Sequence, residues 1–192
     1  MVELNKDQQI CLLKLARKTV AESLGVKPNE TLDLRDTIYQ EKCGCFVTLH
    51  IRGNLRGCIG YIQGIKCIPD TVCDMAKASA FKDPRFPSLC KEEFDQIDIE
   101  ISVLSPIEPV HDISEIKVGR DGLIISRGYN SGLLLPQVAL EQGWDRETFL
   151  EHTCLKACLP GNAWRLKGTK IEKFSAQVFG EKELGIISRC AQ

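Results

Sequence analysis

Apolar side chains recur along the chain at two spacings, and the change of spacing predicts where helices and strands lie. Over residues 4–24 the spacing is helical, and Gly25 is typical of a residue that ends a helix. Residues 69–82 predict a second helix, since a proline in the first turn is tolerated there. A third helix is predicted to begin after Asp145, which can cap it, and to end at about Leu159.

Strict alternation of apolar and polar residues predicts the strands. The clearest case is residues 96–104, where Ile and Val alternate with polar residues, so that one face is buried. Residues 45–61 predict a hairpin that turns at Gly53-Asn54 and returns from Leu55. Three further strands are predicted at 123–126, 133–135 and 170–179, with a turn over 128–132. Hairpins mixed with separate helices predict an α+β fold with a mostly antiparallel sheet and flanking helices.

Composition narrows the class of protein. The 192 residues carry 25 Lys and Arg against 26 Asp and Glu, a net charge of −1, which excludes nucleic-acid binding driven by bulk charge. No apolar run is long enough to span a bilayer, and the charged N-terminus does not have the pattern of a secretory signal. We therefore expect a cytoplasmic protein that has no membrane partner.

Ten cysteines are unusual for a chain of this length. Without an export signal we expect free thiols, and filling the core is their default role. There is no C-x-x-C spacing, so no metal site is predicted. No dinucleotide or P-loop signature is present either, and no cofactor is predicted.

One segment carries the strongest chemical signal, Leu55-Arg56-Gly57-Cys58-Ile59-Gly60. On a strand, Arg56 and Cys58 share a face, and a guanidinium beside a thiol favours the thiolate. Leu55 and Ile59 then point the other way, toward the core. The two glycines would let a ligand or another backbone approach closely. The alternative is a glycine-rich bend that contains a buried, inert thiol.

Two histidines and a carboxylate are candidate bases. His152 cannot pair with Cys154, because two positions along a helix point in opposite directions, but it could serve Cys58 if the fold brings its helix near. His50 shares a face with Thr48 and is a candidate neighbour of Cys58 across the hairpin. Glu100, on the polar face of its strand, is either a general base or a solvated side chain.

Three other residues complete the set of candidates. Arg85 either binds an anion or forms a local ion pair with Asp83, and the ion pair is favoured. Gln137 can hydrogen-bond a ligand or pack. Cys154 lies on an apolar helix face, where a core role is favoured.

Several segments, in order along the chain, resemble the AMMECR1 family, and the resemblance runs from about residue 5 to about residue 180. They are Phe46 to Leu49, Leu55 to Gly60, Asp83 to Phe86, Glu100 to Pro106, Gly132 to Ala139, Gly143 to Asp145 and Thr153 to Ala157.

The resemblance implies one α+β domain over residues 1–192, with a tail over 181–192. It implies a larger part that holds both chain ends and a smaller inserted part, with the segment 55–60 lining a functional cleft. It also implies Memo-like and radical-SAM partner proteins. The family has Gly where this chain has Cys158, from which we expect ordinary helical backbone at that position.

Three hypotheses about function remain open. The first is a thiol-dependent enzyme or pathway component in which Cys58 is a nucleophile or redox thiol and Arg56 its electrostatic partner, with an unknown small molecule as substrate. The second is a nucleotide- or RNA-binding module in which Arg52, Arg56 and Arg85 hold phosphates. The third is an adaptor for the implied partners. A metal–thiolate site at Cys58 and Cys154 is a minor fourth.

Overall fold

The computed structural model describes residues 3–28 and 31–186 and confirms the α+β class, with antiparallel strand pairing throughout. The chain divides into two compact units. Unit 1 holds the residues up to Leu104 and those from Gln177 onward, and unit 2 is the insertion Ser105–Ala176. In the part of the chain described, no helix is both long and apolar enough to cross a bilayer.

Unit 1 is a sheet covered by helices. Its elements are α1 (Lys6–Ser23), a 3-10 turn (Thr37–Gln40), β1 (Cys45–Ile51), β2 (Asn54–Tyr61), α2 (Ile68–Phe81), α3 (Lys91–Phe94) and β3 (Ile97–Leu104). The strand order is β2-β1-β3, so β2 is an edge strand. Apolar residues of α1, α2, β1 and β3 form one buried core. Asn5 caps the N-terminus of α1 and forms a reciprocal capping box with Gln8. Gly25, just after the helix, has left-handed backbone, as expected of a residue that ends a helix.

The hairpin of unit 1 differs from the prediction in two places. Its turn is Arg52-Gly53, both with positive φ, one residue earlier than predicted, and the return strand begins at Asn54. The pairing also slips: His50 faces Leu55 while Leu49 faces Gly57. Arg56 is therefore the extra residue of a β-bulge, which breaks the alternation on which the sequence argument relied.

Unit 2 contains a hairpin, two helices and a long strand. Its elements are β4 (Glu108–Pro109), a 3-10 turn (Ile113–Glu115), β5 (Asp121–Arg127), β6 (Asn130–Leu134), α4 (Pro136–Glu141), α5 (Arg146–Lys156), a 3-10 turn (Gly161–Arg165) and β7 (Lys170–Gly180), whose last residues belong to unit 1. The turn predicted over 128–132 is only two residues long, and β6 begins at Asn130. The helix α4 was not predicted, because Pro136 opens it rather than ending a strand.

The prediction for Cys158 was wrong. Asp145 caps α5 as expected, by accepting the N–H of Thr148, but the helix ends at Lys156 and Cys158 has a φ of 57°. The N–H groups of Leu159 and Cys158 donate to the carbonyls of Cys154 and Leu155, respectively. This is the Schellman pattern, which normally places glycine at the left-handed position. Cys158 therefore keeps the backbone that the family's glycine suits.

The predicted tail starts at a buried residue. Glu181 is fully buried, forms an ion pair with Arg17 and accepts the N–H of Ile99. Leu184 and Ile186 pack against the core of unit 1. The remainder of the predicted tail, 187–192, lies outside the described residues.

Candidate functional site

The two glycines of the 55–60 segment serve packing on opposite faces of β2. A Cβ on Gly57 would overlap the backbone carbonyl of Ser79, so Gly57 lets α2 approach the strand closely. A Cβ on Gly60 would overlap the ring of Phe46 on the neighbouring strand. The Ser79 hydroxyl accepts from Ile59 N–H at 3.3 Å and lies 2.7 Å from the Val47 carbonyl. Close approach by protein groups therefore explains both glycines.

Arg56 is not the partner of Cys58 that the sequence predicted. Its Nε and Nη2 donate to the two carboxylate oxygens of Glu93 on α3, at 2.8 and 2.9 Å, and the arginine is only 8% exposed. This pairing raises the pKa of Arg56 and lowers that of Glu93 to about 2, against the opposing effect of desolvation. Arg56 Nη1 is buried and finds no partner among the described residues. The bulge explains the difference, because Arg56 and Cys58 no longer obey simple alternation.

The flanking apolar residues behave differently from each other. Ile59 packs against the core of unit 1, as expected. Leu55 was predicted to face the core, but it is 41% exposed. The same bulge accounts for this correction, since Leu55 lies directly opposite His50 rather than beside a core residue of β1.

Cys58 is a half-buried thiol on the side of the sheet that faces away from the core. It lies opposite Thr48 on β1, and Thr48 in turn lies opposite Glu100 on β3. Directly opposed residues point to the same side, so the three side chains form a row across three strands. Thr48 Oγ1 donates to Cys58 Sγ at 3.2 Å.

The backbone of Cys58 is held at the free edge of β2 by the loop that follows α2. Cys58 N–H donates to Asp83 Oδ2 at 2.9 Å, and Arg85 Nη2 donates to Cys58 O at 3.2 Å. Arg85 also forms a two-point ion pair with Asp83, at 2.9 and 2.7 Å. That pair holds the pKa of Asp83 far below its usual range and raises the pKa of Arg85. The ion pair that the sequence favoured is present, and it fixes the motif cysteine.

The cation associated with Cys58 is thus Arg85 rather than Arg56. The hydrogen bonds to Asp83 are the main cause of the raised pKa of Arg85. The side chain of Arg85 is 54% exposed, whereas that of Asp83 is 2% exposed. The guanidinium therefore has one buried, paired edge and one edge in solvent.

The remaining candidates lie in both units. In unit 1, His50 lies on the same sheet face as Cys58 but not opposite it. Its neighbours across the strands are Leu55 on β2 and Asp98 on β3. In unit 2, the ring of His152 stacks on Trp144, with centroids 3.9 Å apart and planes 9° apart. Gln137 is the second residue of α4.

The other described cysteines are also free thiols, and three of them, Cys43, Cys45 and Cys154, are buried. Cys45 and Cys154 are fully buried, and burial raises the pKa of both thiols, that of Cys45 to about 12. The described residues contain no group of three His, Cys, Asp or Glu side chains arranged to hold a metal ion.

The sequence did not predict that Thr48 contacts the sulfur of Cys58. It also did not predict that Asp83 and Arg85 hydrogen-bond to the backbone of Cys58. The predicted hairpin, which turns at Gly53-Asn54, would have placed Leu49 opposite Cys58; the earlier turn and the bulge bring Thr48 there instead. Nothing local could have placed Arg85 there, because 27 residues separate it from Cys58.

Comparison with known proteins places this chain among relatives of unassigned function. The AMMECR1 family model matches residues 13–179. A protein of Methanothermobacter thermautotrophicus is 46% identical over 93% of this chain and 96% of its own. Protein MJ0810 of Methanocaldococcus jannaschii is 47% identical over 76% of this chain and 77% of its own. The crystal structure of the uncharacterized protein PH0010 from Pyrococcus horikoshii superposes with a TM-score of 0.83 at 40% identity, covering 96% of both chains.

Proposed function

The chain belongs to the AMMECR1 family, and we propose that it is a cytoplasmic, thiol-dependent enzyme or pathway component in which Cys58 is the nucleophile. The observation that carries the proposal is the position of this thiol. Cys58 is half-buried on the sheet face away from the core, and three separate contacts fix its backbone and its sulfur. A thiol held this firmly at the surface suits chemistry better than packing.

The surroundings of Cys58 supply what a thiol nucleophile needs. Thr48 donates a hydrogen bond to the sulfur, and such a donor compensates part of a negative charge there. Arg85 adds a permanent positive charge beside the strand. In the proposed step the thiolate attacks an electrophilic carbon, a sulfur–carbon bond forms, and the leaving group departs with its electron pair. The proton of the thiol passes to solvent.

Native alkylation tests this proposal residue by residue. Iodoacetamide is added across pH 5 to 9, and mass spectrometry reads the rate at each cysteine. Cys158 is the internal reference because it is exposed in unit 2. We expect Cys58 to react faster than Cys158 although it is less exposed, and Thr48→Val to slow Cys58 alone. A Cys58 that reacts no faster than Cys158 would rule out an activated nucleophile.

The adaptor hypothesis predicts a different outcome. Memo-like and radical-SAM proteins, the partners that the family suggests, would then be retained by Cys58→Ser as well as by the unmodified chain. The phosphate-binding hypothesis is less well supported, because Arg56, one of its three arginines, is buried against Glu93. For these reasons we place thiol chemistry first.

A further inference from the structure

The exposed edge of Arg85 is the feature of the Cys58 site that the nucleophile alone does not explain. Its Nε and Nη2 are used by Asp83 and by the Cys58 carbonyl. Nη1 donates to no residue within the described chain, although the side chain is 54% exposed and so reaches solvent. Two N–H donors on a charged group that is bonded to the Cys58 backbone are thus left for a ligand.

We propose that Arg85 forms an anion-binding subsite beside Cys58, and that the electrophile attacked by Cys58 carries a carboxylate or phosphate group. This inference rests on the proposed function and adds a substrate class to it. A planar guanidinium with a free edge matches an anionic oxygen pair. The hydrogen bonds to Asp83 and to the Cys58 carbonyl already fix the Arg85 side chain. Little rotamer freedom is therefore lost when such a group binds.

The surrounding charges leave this edge available to an anion. The Asp83 carboxylate is 2% exposed, and both of its oxygens accept bonds from Arg85 or from Cys58 N–H. It therefore presents almost no surface to an incoming anion. Glu100 lies two strands away on the other side of Cys58, about 10 Å across the sheet. An anion at the free edge of β2 therefore approaches Arg85 and avoids Glu100.

The chain contains a matched copy of the same local structure elsewhere. In Asp33-Leu34-Arg35, the arginine again donates Nε and Nη2 to the aspartate two residues before it, at 2.9 and 2.6 Å. The two motifs differ in that Asp33 is exposed where Asp83 is buried, and in that Arg85 also contacts Cys58. Arg35→Gln is therefore the control for Arg85→Gln.

The test compares two alkylating reagents that differ in charge. Iodoacetate is anionic and iodoacetamide is neutral; with both, the Cys58 sulfur bonds to the CH₂ carbon, iodide leaves, and the thiol proton passes to solvent. At low ionic strength we expect the iodoacetate-to-iodoacetamide rate ratio to be about fivefold higher at Cys58 than at Cys158, as for a unit charge pair a few ångströms apart in water. Arg85→Gln should lower the Cys58 ratio to that of Cys158, and Arg35→Gln should leave it unchanged.

Two further measurements test the subsite even if Arg85→Gln does not fold: the Arg85→Lys variant and the salt dependence of the unmodified chain. Arg85→Lys keeps the charge without the planar fork, and we expect it to retain an intermediate ratio. In the unmodified chain, salt raised from about 0.01 M to about 1 M should abolish the excess, because screening shortens the range of the interaction. Inorganic phosphate and acetate, added at constant ionic strength, should slow carboxymethylation, and the stronger inhibitor names the preferred group.

The two proposals fail in different ways. If Cys58 reacts rapidly with iodoacetamide but its ratio equals that of Cys158 and ignores Arg85→Gln, the anion subsite is wrong and the nucleophile stands. If Cys58 reacts with neither reagent faster than Cys158 does, the proposed function fails together with the subsite.

Discussion

The ion pair between Arg56 and Glu93 shows how one side chain of the signature segment stabilises the fold. Arg56 is almost fully buried, and both carboxylate oxygens of Glu93 accept from it. Removal of one partner of such a pair leaves a buried charge without compensation. We therefore expect Glu93→Gln to lower the free energy of unfolding by about 2 kcal/mol at pH 7.

This effect should depend on pH in a defined direction. The pKa of Glu93 is about 2 in the folded chain against a usual 4.5. A lowered pKa contributes stability above about pH 4.5, and that stability is lost as the pH falls toward 2. Urea unfolding at pH 7 and pH 3 should show a smaller difference between Glu93→Gln and the unmodified chain at pH 3. The exposed Glu151→Gln serves as control, and a difference independent of pH would contradict the ionic origin.

Cys158 provides a second test at the scale of one residue. Its backbone occupies the left-handed region, where a side chain is unfavourable and glycine is not. Cys158→Gly should raise the free energy of unfolding by about 0.5–1 kcal/mol, while Cys158→Ala, which keeps a Cβ, should not. Thermal unfolding of the three proteins checks this, and an equal gain from alanine would show that the thiol itself is unfavourable.

At the scale of elements, Gly57 sets the distance between β2 and α2. A Cβ there would overlap the carbonyl of Ser79, a backbone atom that cannot rotate away. Gly57→Ala should therefore force the helix and strand apart and cost about 1–3 kcal/mol in the free energy of unfolding. Gly161→Ala is the matched control, since its Cβ would meet only Glu151 Cβ at 3.7 Å. Equal stability of both variants in urea would contradict this role for Gly57.

The periodic elements could be predicted from sequence, but the irregular ones could not. The strand 97–104 and the helix 68–81 appear within one residue of their predicted bounds, because their apolar faces are long enough to dominate. The residue types around Arg56 do not indicate a β-bulge. The bulge gives Leu55 and Arg56 different surroundings from those that simple alternation predicts. Helix α4 is six residues long, too short for periodicity to reveal.

The candidate site was predictable to the same extent. Cys58 could be chosen from its segment alone, since an Arg-Gly-Cys strand is an unusual local pattern. Its cation could not, because the nearest arginine in sequence is occupied by Glu93 and the one that contacts Cys58 comes from the loop after α2. Contacts of this kind depend on tertiary packing, which a single sequence does not specify.

At the scale of the whole molecule, one strand is shared by the two units. Residues 170–175 of β7 pair with β5 in unit 2. Gln177 exchanges two hydrogen bonds with the backbone of Leu4 in unit 1, and Glu181 is ion-paired there with Arg17. Unfolding of either unit would therefore remove part of the support of a strand that the other requires. This continuity predicts that the units unfold together.

Two buried cysteines make that prediction measurable. Cys45 lies in the core of unit 1 and Cys154 in that of unit 2, and burial raises the pKa of both thiols. Each should become reactive only when its own unit opens. In increasing urea, iodoacetamide labelling of both cysteines should rise at the same midpoint, while exposed Cys158 is labelled throughout. Two separate midpoints would mean that β7 does not couple the units, and the unit with the lower midpoint would be the one that opens alone.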